Sequence, residues 1–238
     1  MVGTGAAEDI FDRVICGVDG TPASAEAARQ AALLTPVDRP LRIVTVVGEA
    51  ELGGSYGEPF TLSAGEWQPR LDPALQVIPT DRDVETAPVL QSGPPAAALV
   101  EELEREGATL VAVGSHDHRR LTGILLGSVA VAVLHDAPCS VLVARLQDEG
   151  PRAFRTVAAG FDGSPEAAVA LQAAEEIAER LHAELNIVED ADDPVETLRE
   201  VPCDLLVLGS RGLQGVEALG SVSERVANTT PASVLVVR

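Results

Sequence analysis

The chain has 238 residues, of which 46% are hydrophobic and only 3% aromatic, so its interior must be built from Val, Leu, Ile and Ala. Such a composition suits helices packed on a buried parallel sheet, whose strands are continuous aliphatic runs. A formal net charge of −20, with a pI of about 4.4, repels phosphate backbones and anionic headgroups and argues against nucleic acid and membrane surfaces as partners.

The first stretch, Met1 to Asp9, carries acids and lacks the basic-then-apolar pattern of a signal peptide. No run approaches the ~20 apolar residues of a membrane helix, so the expected compartment is the cytoplasm. Residues 14–18 predict a short aliphatic strand, after which Gly20-Thr-Pro-Ala-Ser turns the chain into an Ala-rich helix over 24–34. Residues 41–47 predict a second strand. Residues 48–80, with Gly53-Gly54, Tyr56, Phe60 and Trp67, predict a long loop that forms a partly ordered lid. A third strand over 84–90 contains Pro88, which places it at a sheet edge. Residues 95–106 predict a helix with Leu99, Val100 and Leu103 on one face. A fourth strand, 110–113, ends in Gly114-Ser115; a loop, a helix over 128–135 and a closing strand over 140–144 follow.

The chain then repeats itself. Arg13-Val-Ile-Cys-Gly-Val-Asp19-Gly-Thr-Pro22 recurs as Arg155-Thr-Val-Ala-Ala-Gly-Phe-Asp162-Gly-Ser-Pro165, and Leu110-Val-Ala-Val-Gly114-Ser115 as Leu205-Leu-Val-Leu-Gly209-Ser210. Residues 127–145 align without gaps to 220–238. The polar stretch 146–152, with Gly150-Pro151, is a linker. Repeated strand–helix alternation predicts an α/β fold of two tandem doubly wound parallel-sheet (Rossmann-like) domains, residues 1–147 and 152–238, with strand order 3-2-1-4-5 in the first. The stretch from Asp162 to Gly209 is about half as long as that from Asp19 to Gly114, so the second domain is expected to be trimmed by one strand.

In an open parallel sheet, ligands settle at the carboxyl ends of the strands near the switch in strand order. Asp19 and Asp162 stand just past the first strand of each copy, where a carboxylate either accepts hydrogen bonds from ribose hydroxyls or caps the turn. Gly114-Ser115 and Gly209 stand at the strand-four exit. Gly127-Ser128 and Gly220-Ser221 open a helix, where glycine lets backbone approach phosphate and the helix tip offers free N–H groups; the serines either bind phosphate or cap the helix. Cys16, Cys139 and Cys203 lie in or beside aliphatic stretches, an odd number that reads as reduced core residues, and no metal-ligand spacing occurs. His135 and His182 lack a sequence-near nucleophile or ligand partner and fit surface or helix-end roles.

Gly-Val-Asp19-Gly-Thr-Pro-Ala-Ser, the Val-Gly114-Ser strand exit and the Leu-Leu-Gly127-Ser-Val helix start resemble the universal stress protein family over nearly all of both halves, the 48–80 stretch excepted. The resemblance implies an ATP- or AMP-binding, non-catalytic stress-response regulator, with Mg2+ accompanying the phosphates, dimeric through its last strand. It places Asp19 and Val46 at ribose and base and Gly114, Ser115, Gly127 and Ser128 near phosphates; Asp162, Val188, Gly209, Gly212, Gly220 and Ser221 form the second set. In nucleotide-binding members the phosphate loop runs Gly, two residues, Gly, nine residues, Gly, then Ser or Thr. The first copy keeps that length but has Asp117 for the second glycine, which repels a triphosphate unless a divalent metal or His116, His118, Arg119 and Arg120 offset it. The second copy keeps Gly209, Arg211 and Gly212 but is two residues short before Gly220. The family's closing strands pair across a dimer axis, so the two halves here are expected to pair with each other, with a homodimer of whole chains left open. The alternative is an interaction or structural protein whose loops have lost nucleotide. An ATP-cleaving enzyme fits least, because the chain has no Lys and no evident base, and phosphoryl transfer relies on positive charge and positioning.

Overall fold

The computed structural model describes residues 9–48, 64–91, 93–115, 126–146, 153–189, 193–210 and 222–238. Local chemistry starts each helix where the sequence changes character. Helix α1 (Pro22–Leu34) opens with Pro22 behind Thr21, whose side chain accepts from the Ser24 N–H. Its counterpart α5 (Pro165–Leu181) opens with Pro165 behind Ser164, which accepts from the Ala167 N–H. Proline needs no intrahelical donor at that position, and the hydroxyl satisfies a donor that would otherwise be orphaned. His182 ends α5 in the left-handed region at φ 54°, a helix-end role.

Among the described residues nine strands form a single sheet: β1 (Val14–Gly17), β2 (Leu41–Gly48), β3 (Val84–Gln91), β4 (Leu110–Gly114), β5 (Ser140–Ala144), β6 (Thr156–Phe161), β7 (Glu184–Glu189), β8 (Leu205–Gly209) and β9 (Ser233–Val237). Their order is β3-β2-β1-β4-β5-β9-β8-β6-β7. The first half therefore has the expected order 3-2-1-4-5. Among the described residues the second repeats the plan without a third strand, and β7 ends the order. β3 stands at the opposite end and accommodates Pro88, which stands beside Thr45 in the parallel ladder. Within each half all pairs are parallel; β5 and β9 alone run antiparallel, with Val141 opposite Val236 and Leu142 opposite Leu235.

Helices cover both faces. On one lie α1, α5 and α2 (Ala64–Leu75); on the other α3 (Pro95–Glu106), α4 (Ser128–Asp136), α6 (Pro194–Glu200) and α7 (Val222–Thr229). Each apolar layer is continuous across the two halves: Leu142 and Leu235 share one, Val141 and Val236 the other. Both sides of the central strands are dry, as a two-faced parallel sheet requires.

The crossing between β5 and β9 carries a reciprocal pair of contacts. The Arg145 backbone N–H donates to Ser233 Oγ at 3.0 Å, and the Arg238 N–H to Ser140 Oγ at 3.2 Å. The Arg145 guanidinium donates to Ala227 O in α7 at 2.5 Å, and that of Arg238 to Leu134 O in α4 at 2.6 Å. Arginine suits carbonyls at a helix C-terminus, where the dipole is negative. Burial lowers the Arg145 guanidinium to about 10. His135 of α4 stands 3.4 Å from Glu224 of α7.

The 48–80 stretch departs from the expected loop. Residues 49–63, with Tyr56 and Phe60, lie outside the described residues, but Ala64–Leu75 is a helix despite Pro69 and Pro73. Each proline removes one helical hydrogen bond. The helix is held instead by an apolar stripe: Leu71 and Ala74 are buried, and Trp67 packs on the same layer.

Candidate functional site

Where β1 and β4 diverge, the strand ends and helix tips enclose a cavity of about 440 Å3, lined among others by Asp19, Val46, Gly114, Ser115, Gly127 and Ser128. All six residues expected to form the first site thus meet in one place, and the volume is within the ~300–1,000 Å3 typical of small-ligand sites.

Asp19 is tied into the turn that leads to α1. Its Oδ1 accepts from the Thr21 N–H at 3.0 Å and the Thr21 hydroxyl at 2.6 Å, and its own N–H donates to Ser24 Oγ at 3.3 Å. Gly20, at φ 85°, is what lets the chain turn so sharply beneath it. The turn-capping role is therefore real. Partial desolvation at the cavity mouth pushes the carboxyl pKa up, but the Thr21 and Ser24 hydrogen bonds outweigh it and hold the group below the usual aspartate value. A carboxylate so stabilised accepts hydrogen bonds well and is a weak general base.

Gly114 has a packing reason of its own. A Cβ there would stand 2.5 Å from the backbone carbonyl carbon and oxygen of Ala23, so a bare backbone is needed for α1 to sit against the end of β4. Gly209 is the same in the second half, with Glu166 C at 2.7 Å.

At the other side of the cavity α4 begins. Gly127 is its N-cap, with no side-chain hydrogen bond to the first turn. Ser128 is inside the helix, so it does not cap it. The first-turn N–H groups of α4 have no intrahelical partner, and Ser128, Val129 and Ala130 all line the cavity. An uncapped helix tip facing a cavity attracts an anion.

Sequence reasoning missed Arg70, which enters the wall from α2 and donates through Nη1 to Val46 O at 3.2 Å. The stripe Trp67, Leu71, Ala74 at helical spacing was the available signal; the two prolines concealed it. Pro95 and Leu99 of α3 complete the apolar wall.

In the second copy Asp162 Oδ1 accepts from the Ser164 N–H at 3.0 Å and its hydroxyl at 2.6 Å, the same turn as at Asp19. Asp162 follows directly on the end of β6, Val188 lies on β7 and Gly209 ends β8. Gly212, Gly220 and Ser221, like Asp117 and the basic residues 116–120 of the first loop, lie outside the described residues. Among the described residues no group of three His, Cys, Asp or Glu is arranged to hold a metal, and no helix is long and apolar enough to cross a membrane. Cys16, Cys139 and Cys203 are free thiols, and burial pushes the latter two up to about 12.

The family model described as Universal stress protein family matches residues 10–145 and 187–238. The universal stress protein Rv2005c of Mycobacterium tuberculosis is 36% identical over 147 residues, a match covering 56% of this chain and 45% of that protein. The chain thus spans less than half the length of that relative. The universal stress protein MJ0531 of Methanocaldococcus jannaschii is 28% identical over 144 residues, covering 58% of this chain and 84% of that protein. In fold, the chain is similar to a crystal structure of a universal stress protein from Archaeoglobus fulgidus, with a TM-score of 0.70 at 19% identity over 96% of this chain and 98% of the other.

Proposed function

The chain belongs to the universal stress protein family, and from that premise we propose that it is a non-catalytic stress-response protein of the cytoplasm whose first copy holds an adenine nucleotide, ATP or AMP. The observation that carries this reading is the uncapped tip of α4 opening into a cavity of about 440 Å3 that also holds the Asp19 carboxylate. In that pose the phosphates sit at Gly127 and Ser128 beside Gly114 and Ser115. Asp19 accepts from ribose hydroxyls, and the base lies against Val46. Magnesium would arrive with the phosphates rather than on a protein cage. Asp162, Val188, Gly209, Gly212, Gly220 and Ser221 form the corresponding set of the second copy.

Binding without turnover is supported by the cavity's chemistry. Its described carboxylate is Asp19, already hydrogen-bonded and held in its charged form, and its described cation is Arg70, which engages a backbone carbonyl. The antiparallel β5–β9 pair and the crossed arginines support two domains, 1–147 and 152–238, joined as a pseudo-dimer within one chain.

Calorimetric titration of the purified chain with ATP and AMP, with and without magnesium, tests the reading. Saturable heat with ATP that disappears in Gly127→Asp and survives in Gly220→Asp is the expected result. No heat and no thermal shift with either nucleotide would move the assignment to the second reading, an interaction protein working through its shared sheet. That reading has one observation in its favour: the closeness of Gly114 to Ala23 explains the glycine without any ligand.

A further inference from the structure

Beside β7 the second copy leaves the place that β3 fills in the first. Leu41 of β2 pairs with Val14 and Leu185 of β7 with Val157. Val14 and Val157 stand equally far before Asp19 and Asp162, so Leu41 and Ile43 correspond to Leu185 and Ile187. In the first copy the Leu41 N–H donates to Asp83 O at 2.9 Å, on the β3 side. In the second the Glu184 N–H donates to Arg155 O at 2.8 Å, on the β6 side. Backbone groups of successive strand residues point to opposite sides, so those of Leu185, Ile187 and Glu189 point away from β6.

Among the described residues no strand meets them. The side chains differ in the same way. Ile43 is 0% exposed, in the apolar layer it shares with Leu71 and Ala74 of α2, whereas Ile187 is 47% exposed. A row of outward donors and acceptors beside an exposed Ile is a template for one more strand.

Charge selects the occupant. β7 begins at Glu184 and ends at Glu189, both exposed, in a chain of net charge −20. Antiparallel pairing with the β7 of a second copy would bring the carboxylates of opposite ends together, which is repulsive. A strand with Arg or Lys at both ends meets the same carboxylates favourably. We propose that the outer side of β7 docks an extended segment of a partner protein, apolar at its centre and cationic at both ends. That segment adds as the third strand of the second half, with an apolar side chain over Ile187. The nucleotide reading is not involved, because β5, β9, β8 and β6 separate β7 from the strands that carry the cavity.

The test titrates the full chain with a fluorescent synthetic peptide of alternating Val and Thr with Arg at both ends, read by anisotropy and by amide exchange. Saturable binding and slower exchange of the Leu185, Ile187 and Glu189 amides are expected. The same peptide N-methylated at every residue, or with Glu for Arg, should bind at least about tenfold more weakly. Ile187→Pro should keep its melting transition, because the lost N–H points away from β6, and should lose the peptide. Should that variant fail to fold, Glu184→Arg combined with Glu189→Arg decides: the preference should reverse toward the Glu-ended peptide. No binding by the wild type overturns the proposal, as does binding that survives N-methylation or that protects other amides instead. So does protection of those three amides in the peptide-free chain that fades on dilution, which would make a second copy the occupant.

Discussion

Asp19 and Asp162 stand in the same turn, each accepting from the backbone and hydroxyl of the residue two ahead, and Gly114 and Gly209 each admit the helix that follows that turn, a Cβ at either standing 2.5 or 2.7 Å from its backbone. What the first copy has in addition is β3 and the helix carrying Arg70; in the second, β7 ends the order of the described strands. The comparison separates scaffold from site. Features repeated in both copies are those needed to dock a helix on a strand end, and they persist whatever surrounds them. Features found in one copy are where a ligand preference can be written.

If the shared glycines are scaffold, Gly114→Ala and Gly209→Ala should cost alike. Each places a methyl group under 3 Å from backbone atoms that cannot rotate away, and we expect a loss of about 3 kcal/mol apiece in denaturant unfolding. A Gly114→Ala protein of normal stability would break the packing explanation and return the residue to the ligand.

The crossed arginines sharpen the comparison next. Arg145→Met and Arg238→Met each remove a charged donor from a helix carbonyl of the opposite half, worth about 2 kcal/mol. Arg145 should be the costlier, because it is buried and its loss leaves Ala227 O without that donor in a dry setting. Equal and negligible effects on the melting temperature would show that the β5–β9 ladder holds the halves together without them.

The strands and most helices were legible because aliphatic runs and Ala-rich stripes have clean periods, and proline or glycine marked their ends. The repeat made the second copy legible through the first. The missing strand followed from the short distance between Asp162 and Gly209. Helix α2 was not legible: Pro69 and Pro73 argue against a helix locally, and its burial depends on partners far away in sequence. The same gap hid Arg70, whose meaning comes only from the Val46 carbonyl it reaches. Gly114 was legible as important, but its packing role was not, since sequence does not reveal that Ala23 passes within contact of it.

The smallest effect concerns the turn aspartate of the first copy. Because the folded-state pKa of Asp19 lies below its unfolded value, the charged form is favoured by folding. That contribution is fully present above the ordinary aspartate value and is lost as pH falls through the lowered folded one. Asp19 is exposed at the cavity mouth, so solvent screening keeps its share well under ~1 kcal/mol. Asn in its place still offers an oxygen to Thr21 but has no charge to lose. Asp19→Asn should therefore be slightly less stable than wild type near neutrality and converge with it in acid, measured by urea unfolding between pH 7 and pH 2. A difference that widens as the pH falls would mean that the carboxylate is strained by its turn rather than steadied by it.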